Sequence, residues 1–264
     1  APDHPVRDME EGDIVWSDTP RYPAYDHGFP SSDPSRLLEQ HGKLLDRLAR
    51  ASTFDGQRSV DAIRSLVQNY ASYVNCLPAT YQENHYGAGG LLKLGLDVGF
   101  FALQAANGVI FSNDSADRRT LAEPRWRLAA FIAGMACELN RTISHILVTN
   151  SDGTQWHPFV APLSAWLKET NSSRFWVVWL KPTEAVNQKA LVSFILPKII
   201  PDEVVNYLGE DRRVLMLMNA AITGGVRAGE DNPIQLLVEK VRYKVVTSDM
   251  AKNANHISRP QIGS

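Results

Sequence analysis

Apolar positions recur at helical spacing over most of this chain. Leu37, Leu38, Leu44, Leu45 and Leu48 form the first set, and Ser32 or Asp33 ahead of Pro34 supplies a start signal. Val60, Ile63, Leu66, Val67, Tyr70 and Val74 make a second stripe, which should end before Pro78. After a glycine-rich turn at Gly87–Gly90, the stretch from Leu91 to Ala106 is apolar nearly all round, the pattern of a central buried helix. Pro124 suits the first turn of another buried helix running through Trp126, Ala130, Ala133 and Cys137. Helical spacing returns from about Glu184 to Leu196, after Pro201, around Leu215 to Ile222, and from Ile234 to Val246.

The β signal is confined to one region. Between Ile146 and Phe159, Asn150-Ser151-Asp152-Gly153 places turn chemistry between two short runs, and Arg174 to Leu180 reads as a third strand. The predicted fold is therefore mainly α, a helical bundle with a small β-hairpin or three-stranded sheet. Residues 1 to 35 hold eight acids, two arginines and six prolines, which predicts an extended, loop-like lead-in. Residues 36 to 225 form the helical domain, with the hairpin at about 146–159. Residues 226 to 264 form a C-terminal helix and tail, whose Lys240, Arg242, Lys244, Lys252 and Arg259 against Glu239 and Asp249 read as a solvated face.

Composition narrows the function. The chain has 264 residues, 44% of them hydrophobic, and 27 basic against 29 acidic side chains for a net charge of −2. A near-neutral balance removes whole-surface attraction to nucleic acid as an argument and leaves only a local patch. Two cysteines, Cys76 and Cys137, with no CxxC spacing indicate neither a disulfide framework nor a zinc knuckle. The apolar runs are interrupted by Lys93 and Asp97 or end after nine residues at Cys137, so no membrane insertion is expected. The N-terminal stretch has neither the basic start nor the apolar middle of a signal peptide, and the expected compartment is the cytoplasm. The chain contains no GxxxxGK[ST] phosphate loop, no HExxH and no GxSxG.

The informative stretch is Asn84-His85-Tyr86-Gly87-Ala88-Gly89-Gly90-Leu91-Leu92, followed by Leu94, Leu96, Asp97 and Val98. It resembles the signature of the TraI-type relaxases of integrative conjugative elements, the HD-domain class called MobH, which runs His-His-x-x-x-Gly-Gly-Leu-x-x-His-x-Leu-Glu-Val. The resemblance extends over roughly residues 35 to 225. Leu44-Leu45-Asp46-Arg47, Tyr70-Ala71-Ser72-Tyr73-Val74 and Leu77-Pro78-Ala79 resemble the N-terminal helices of that family. Glu123-Pro124-Arg125-Trp126-Arg127 resembles the lead-in to its His-Asp helix. Trp156-His157-Pro158-Phe159 with Trp166 resembles the following hairpin, and Leu196-Pro197-Lys198-Ile199-Ile200-Pro201 a segment near the end. The resemblance implies an HD-like bundle, a place in conjugative transfer, and DNA, single-stranded or at the origin of transfer, together with other conjugation proteins as partners.

The metal positions implied by the resemblance are mostly replaced. Asn84 and His85 stand where the paired histidines are, Leu94 where the third imidazole is, and Cys137-Glu138 where the His-Asp dyad is. The later histidine-rich segment falls on Glu184 to Lys189, which contains no histidine. An HD site needs imidazoles and carboxylates converging on divalent ions that activate water. Asp97, Cys137 and Glu138 are the remaining candidate metal ligands, and His85 and Glu138 the remaining catalytic candidates. The expectation is no cofactor and a catalytically degenerate member that binds DNA or the transfer complex. Two alternatives stay open: an active metal-dependent nickase or phosphohydrolase with rearranged ligands, and a purely structural partner in the machinery. Gly87, Gly89 and Gly90 stand before a helix, where backbone amides can hold a phosphate and His85 can add a contact; glycines there also permit a tight turn.

Overall fold

A computed structural model describes residues 21–22, 27–181, 189–224 and 231–257. Helices dominate. α1 (Pro34–Glu39) and α2 (Gly42–Ala51) precede the long α3 (Gly56–Val74), and α4 (Gly90–Asn107) and α5 (Ala116–Met135) follow. The shorter α6 (Leu139–Ile143) and α7 (Leu163–Glu169), then α8 (Asp202–Gly209), α9 (Arg212–Thr223) and α10 (Pro233–Ile257), complete the bundle.

Local chemistry explains the first boundaries. Asp33 caps α1, its carboxylate accepting the Ser35 amide at 2.8 Å, with Pro34 in the first turn. α3 ends on Asn75, whose buried side chain donates to the Ser32 carbonyl and to Ser164 Oγ, each at 2.8 Å. That one amide ties the lead-in and α7 to the end of α3.

α4 and α5 form the middle of the core. Leu91, Leu92, Leu94, Leu96, Val98, Ala102 and Leu103 are completely buried along α4, and Ala129 to Ala133 along α5 are equally so. The two backbones approach closely at Gly134, where a β-carbon would lie 2.9 Å from Ala102 Cβ and 3.0 Å from the Val98 carbonyl oxygen. Pro124 lies inside α5 instead of opening it. The helix begins eight residues earlier, at Ala116, and the Arg125 guanidinium donates to the Leu121 carbonyl at 2.7 Å. Glu123 fixes the loop ahead of α5 by accepting the Phe111 and Ser112 amides at 2.9 and 2.7 Å.

The sheet is small, antiparallel and built around one strand. β4 (Arg174–Trp179) carries β3 (Ile146–Thr149) on one edge, in register from Ile146 opposite Trp179 to Thr149 opposite Trp176. On its other edge it carries β1 (Arg21–Tyr22) and β2 (Phe29–Pro30). The expected hairpin at 146–159 is corrected in one respect: β3 pairs mainly with β4, and the returning run makes a single bridge, Gln155 to Thr149, beside the Trp156 amide on the Val148 carbonyl. The turn itself forms as its sequence indicates, with Asn150 Oδ1 accepting the Asp152 and Thr154 amides. Pro158 and Pro162 then deprive the returning run of donors.

Two further expectations change. The lead-in is partly packed, because β4 offers it an edge: Phe29 is buried and stacks on Phe175 at 5.6 Å. Of the helical spacing from about Glu184 to Leu196, residues 184–188 lie outside the described residues, and the rest is corrected: Lys189–Phe194 and Leu196–Lys198 are 3-10 turns. α10 is also less solvated than its charges suggest, since Ile234, Val238 and Val241 are buried in the core.

Candidate functional site

The turn into α4 is organised by its own hydrogen bonds. Thr80 Oγ1 accepts the Glu83 and Asn84 amides, each at 3.1 Å, and donates to the Asn84 carbonyl at 2.7 Å. The reversal leaves His85 in the left-handed region at φ 47°, its carbonyl accepting the Ala79 amide at 2.9 Å. A β-carbon at position 90 would sit 1.8 Å from that carbonyl oxygen, so Gly90 is dictated by the path of His85. The amides of Gly89, Gly90 and Leu91 donate to the carbonyls of Cys76, Gly87 and Leu77 at 2.9, 2.9 and 3.0 Å. A phosphate seated on the glycines Gly87, Gly89 and Gly90 would compete with these bonds.

His85 points inward, its side chain only 2% exposed. Its Nδ1 lies 3.2 Å from Asn84 Oδ1 and 3.5 Å from Asp249 Oδ2, and its Nε2 lies 4.0 Å from Asp97 Oδ2. The His85 backbone amide also donates to Asp249 Oδ2 at 2.9 Å. A single carboxylate of α10 thus holds both the backbone and the ring of His85. Burial raises the Asp97 carboxyl, but the nearby His85 ring and the hydrogen bond and charge of Lys93 outweigh it and hold that group below the usual carboxylate range. His85 and Asp97, singled out from the sequence, do come together. Asp249, which completes the cluster, was read as part of a solvated tail.

Glu138 occupies a different environment. It follows α5 in the turn to α6, its side chain 3% exposed, and it pairs with the Arg242 guanidinium of α10. Arg141 adds a second cation at 3.5 Å. Burial lowers Arg242, but its hydrogen bond and charge contact with Glu138 prevail and raise it above the ordinary guanidinium value. A buried carboxylate with a guanidinium on the same oxygen is compensated without any other ion. Cys137, beside it, has its thiol pushed far up by burial and by the Glu138 charge. The thiol is protonated at neutral pH. Leu94 is fully buried in apolar core and has no donor atom.

These groups divide between two openings on either side of the Asn84–His85 turn. One, between α4 and α10, is lined by His85, Lys93, Asp97 and Asp249. The other is lined by Asn84, Glu138, Arg141 and Arg242. Among the described residues, no group of three or more His, Cys, Asp or Glu side chains is arranged to hold a metal ion. Asp97 and Glu138 therefore face separate partners, and the segment Glu184 to Lys189 lies outside the described residues apart from Lys189. Arg242 and Asp249 carried one legible signal: a separation of seven residues puts both on one helix face. No helix among the described residues is long and apolar enough to cross a membrane.

Comparison with known proteins adds one finding. The TraI_2 family model, described as "Putative helicase", matches residues 28–262. No curated protein matches the chain.

Proposed function

Because the chain belongs to the TraI_2 family, we propose that it serves conjugative DNA transfer as a relaxase-related protein of the HD-domain, MobH class. In this reading its metal centre is replaced by an internal ion pair, and the protein works by binding DNA within the transfer complex. Strand separation driven by a nucleoside triphosphate is no part of the reading, since these 264 residues contain no GxxxxGK[ST] phosphate loop.

The observation that carries the reading is the Glu138–Arg242 pair. Glu138 stands where the resemblance places the dyad's carboxylate, and its Oε1 is held by a guanidinium. The neighbouring positions agree: Leu94 offers no donor, and Asn84 replaces one of two imidazoles. Water activation by this donor set is unsupported, while the bundle around it is packed and intact. Binding is what such a scaffold retains.

Elemental analysis of the purified protein, together with fluorescence anisotropy of a labelled oligonucleotide at two salt concentrations, tests the reading. The expected result is no stoichiometric transition metal and salt-sensitive DNA binding. About one equivalent of manganese, iron or zinc that disappears in Glu138→Ala would overturn it in favour of an active metal-dependent nickase. Absence of DNA binding at low salt would overturn it in favour of a purely structural partner.

A further inference from the structure

α4 is sealed on every side but one. Between Gly90 and Ala106 the residues that escape burial are Lys93, Asp97, Phe101, Gln104 and Ala105, and all of them line one cleft of about 670 Å³ against α10. We propose that this cleft is a docking groove for an amphipathic helix of a partner protein, apolar on the face laid into the groove and acidic along the edge beside α10. The proposal goes beyond the DNA-binding reading and does not depend on it.

Shape, apolar content and charge each point to that occupant. Lys93, Asp97, Phe101 and Ala105 are spaced four apart on α4, and so are Lys244, Ser248 and Lys252 on α10, so both walls are the i, i+4 ridges against which a further helix packs. From Lys93 to Ala105 the groove runs along about 18 Å of helix, which suits a guest helix of about three turns. Its apolar part is formed by Phe101, Ala105, Val241 and Val245. A helix that is apolar nearly all round is normally covered all round, yet the Phe101 ring is 40% exposed, the large apolar side chain of α4 that this fold leaves in water. An apolar strip between two helices is the surface that helix-in-groove recognition uses.

The charges select the guest. Asp97 accepts from Lys93 Nζ at 2.5 Å, and Asp249 accepts the His85 amide at 2.9 Å and the Asn253 side-chain amide at 3.2 Å, so both carboxylates of the groove are engaged within its wall. Lys244 and Lys252 make no hydrogen bond or ion pair among the described residues. Two free ammonium groups on one ridge, about two turns apart, favour a guest with carboxylates at the same spacing and disfavour a basic one.

A fluorescein-labelled synthetic peptide of about 15 residues, long enough to populate a helix, tests the groove by anisotropy against the full chain. It carries leucines at i, i+4, i+7 and i+11 with glutamates beside them, and a second peptide carries lysine at every glutamate. The acidic peptide should bind saturably and about fivefold or more tighter than the basic one, the size of a modest charge contribution. Phe101→Ala should weaken it about tenfold, the loss of one aromatic contact within an interface. Lys244→Glu with Lys252→Glu should reverse the preference toward the basic peptide. Circular dichroism confirms folding, and the paired lysine change, made on exposed side chains, decides should Phe101→Ala fail to fold. No saturable binding of the acidic peptide, equal binding of the two peptides, or folded variants that bind like the parent would overturn the groove. Association with phosphatidylglycerol vesicles that is lost in Phe101→Ala would overturn the helix in favour of a membrane surface. A concentration-dependent dimer lost in the same variant would overturn it in favour of a second copy of this chain.

Discussion

The two sides of α4 hold their neighbours by different physics. Against α5 the contact is dry: Phe131, Met135 and Gly134 approach Gly95, Gly99 and Ala102 so closely that a β-carbon on any of the three glycines meets an atom at 3.0 Å or less. Toward α10 the contact is polar at one end, where Asp97 and Asp249 flank His85, and α10 sends Arg242 to Glu138. The dry face derives its stability from area and from the absence of voids, so any added volume is costly. The polar face derives it from compensation, so removing one partner costs more than removing both.

The sharpest way to break this contrast is on the dry side. Gly134→Val places carbon atoms against Ala102, Val98 and Gly99 where backbone as well as side chain would have to move. A loss of about 3 kcal/mol is expected, at the upper end for overpacking, read as a drop in the urea midpoint at unchanged m.

Arg242→Ala tests the polar side. The buried Glu138 carboxylate then keeps only Arg141 at 3.5 Å, and a loss of about 2 kcal/mol is expected in the same urea assay, below the usual range for a broken buried pair because Arg242 is itself partly exposed. The paired change Arg242→Met with Glu138→Leu should recover most of it. A double variant as unstable as the single one would show that the pair contributes packing, not compensation.

A smaller effect comes from Asp97. Its folded-state carboxyl titrates below its unfolded value, so it contributes stability above the unfolded pKa of about 4, and that contribution is lost as pH falls through the lower, folded value. The parent should lose stability over that acid window, and Asp97→Asn should lose less there while being weaker at neutral pH. Identical pH profiles would remove Asp97 from the cluster's energetics.

The least perturbing comparison uses the thiols. Burial pushes Cys76 up to about 11 and Cys137 higher still. Neither should react appreciably with iodoacetamide at pH 8 in the folded protein, and both should react in urea. Rapid alkylation of Cys137 in the native state would show an activated thiol beside Glu138.

Much of the helical frame was legible. Asp33-Pro34 did begin a helix, the stripe from Val60 to Val74 did end before Pro78, and the apolar segment after Gly90 is the central helix, because each depends on neighbours within a turn or two. Pro124 misled for the opposite reason: local preference puts proline in a first turn, but Ala116 to Glu123 found a helical path through Glu123's bonds to the loop and the packing of α5 on its neighbours. β2 was invisible because Phe29-Pro30 has no strand pattern of its own and exists through Phe175 and Arg174 across the sheet.

For the candidate site, the sequence by itself determined that Leu94 carries no donor atom, whatever packs beside it. Only the tertiary structure decided how the polar groups around it pair, and why position 90 is glycine: the His85 carbonyl leaves no room there for a β-carbon. His85 meets Asp249 across 164 positions, and Glu138 meets Arg242 across 104. Periodicity reports what a helix buries within a turn or two, whereas an ion pair between distant helices is chosen by the packing that brings them together, and its charges look the same in sequence as any solvated face.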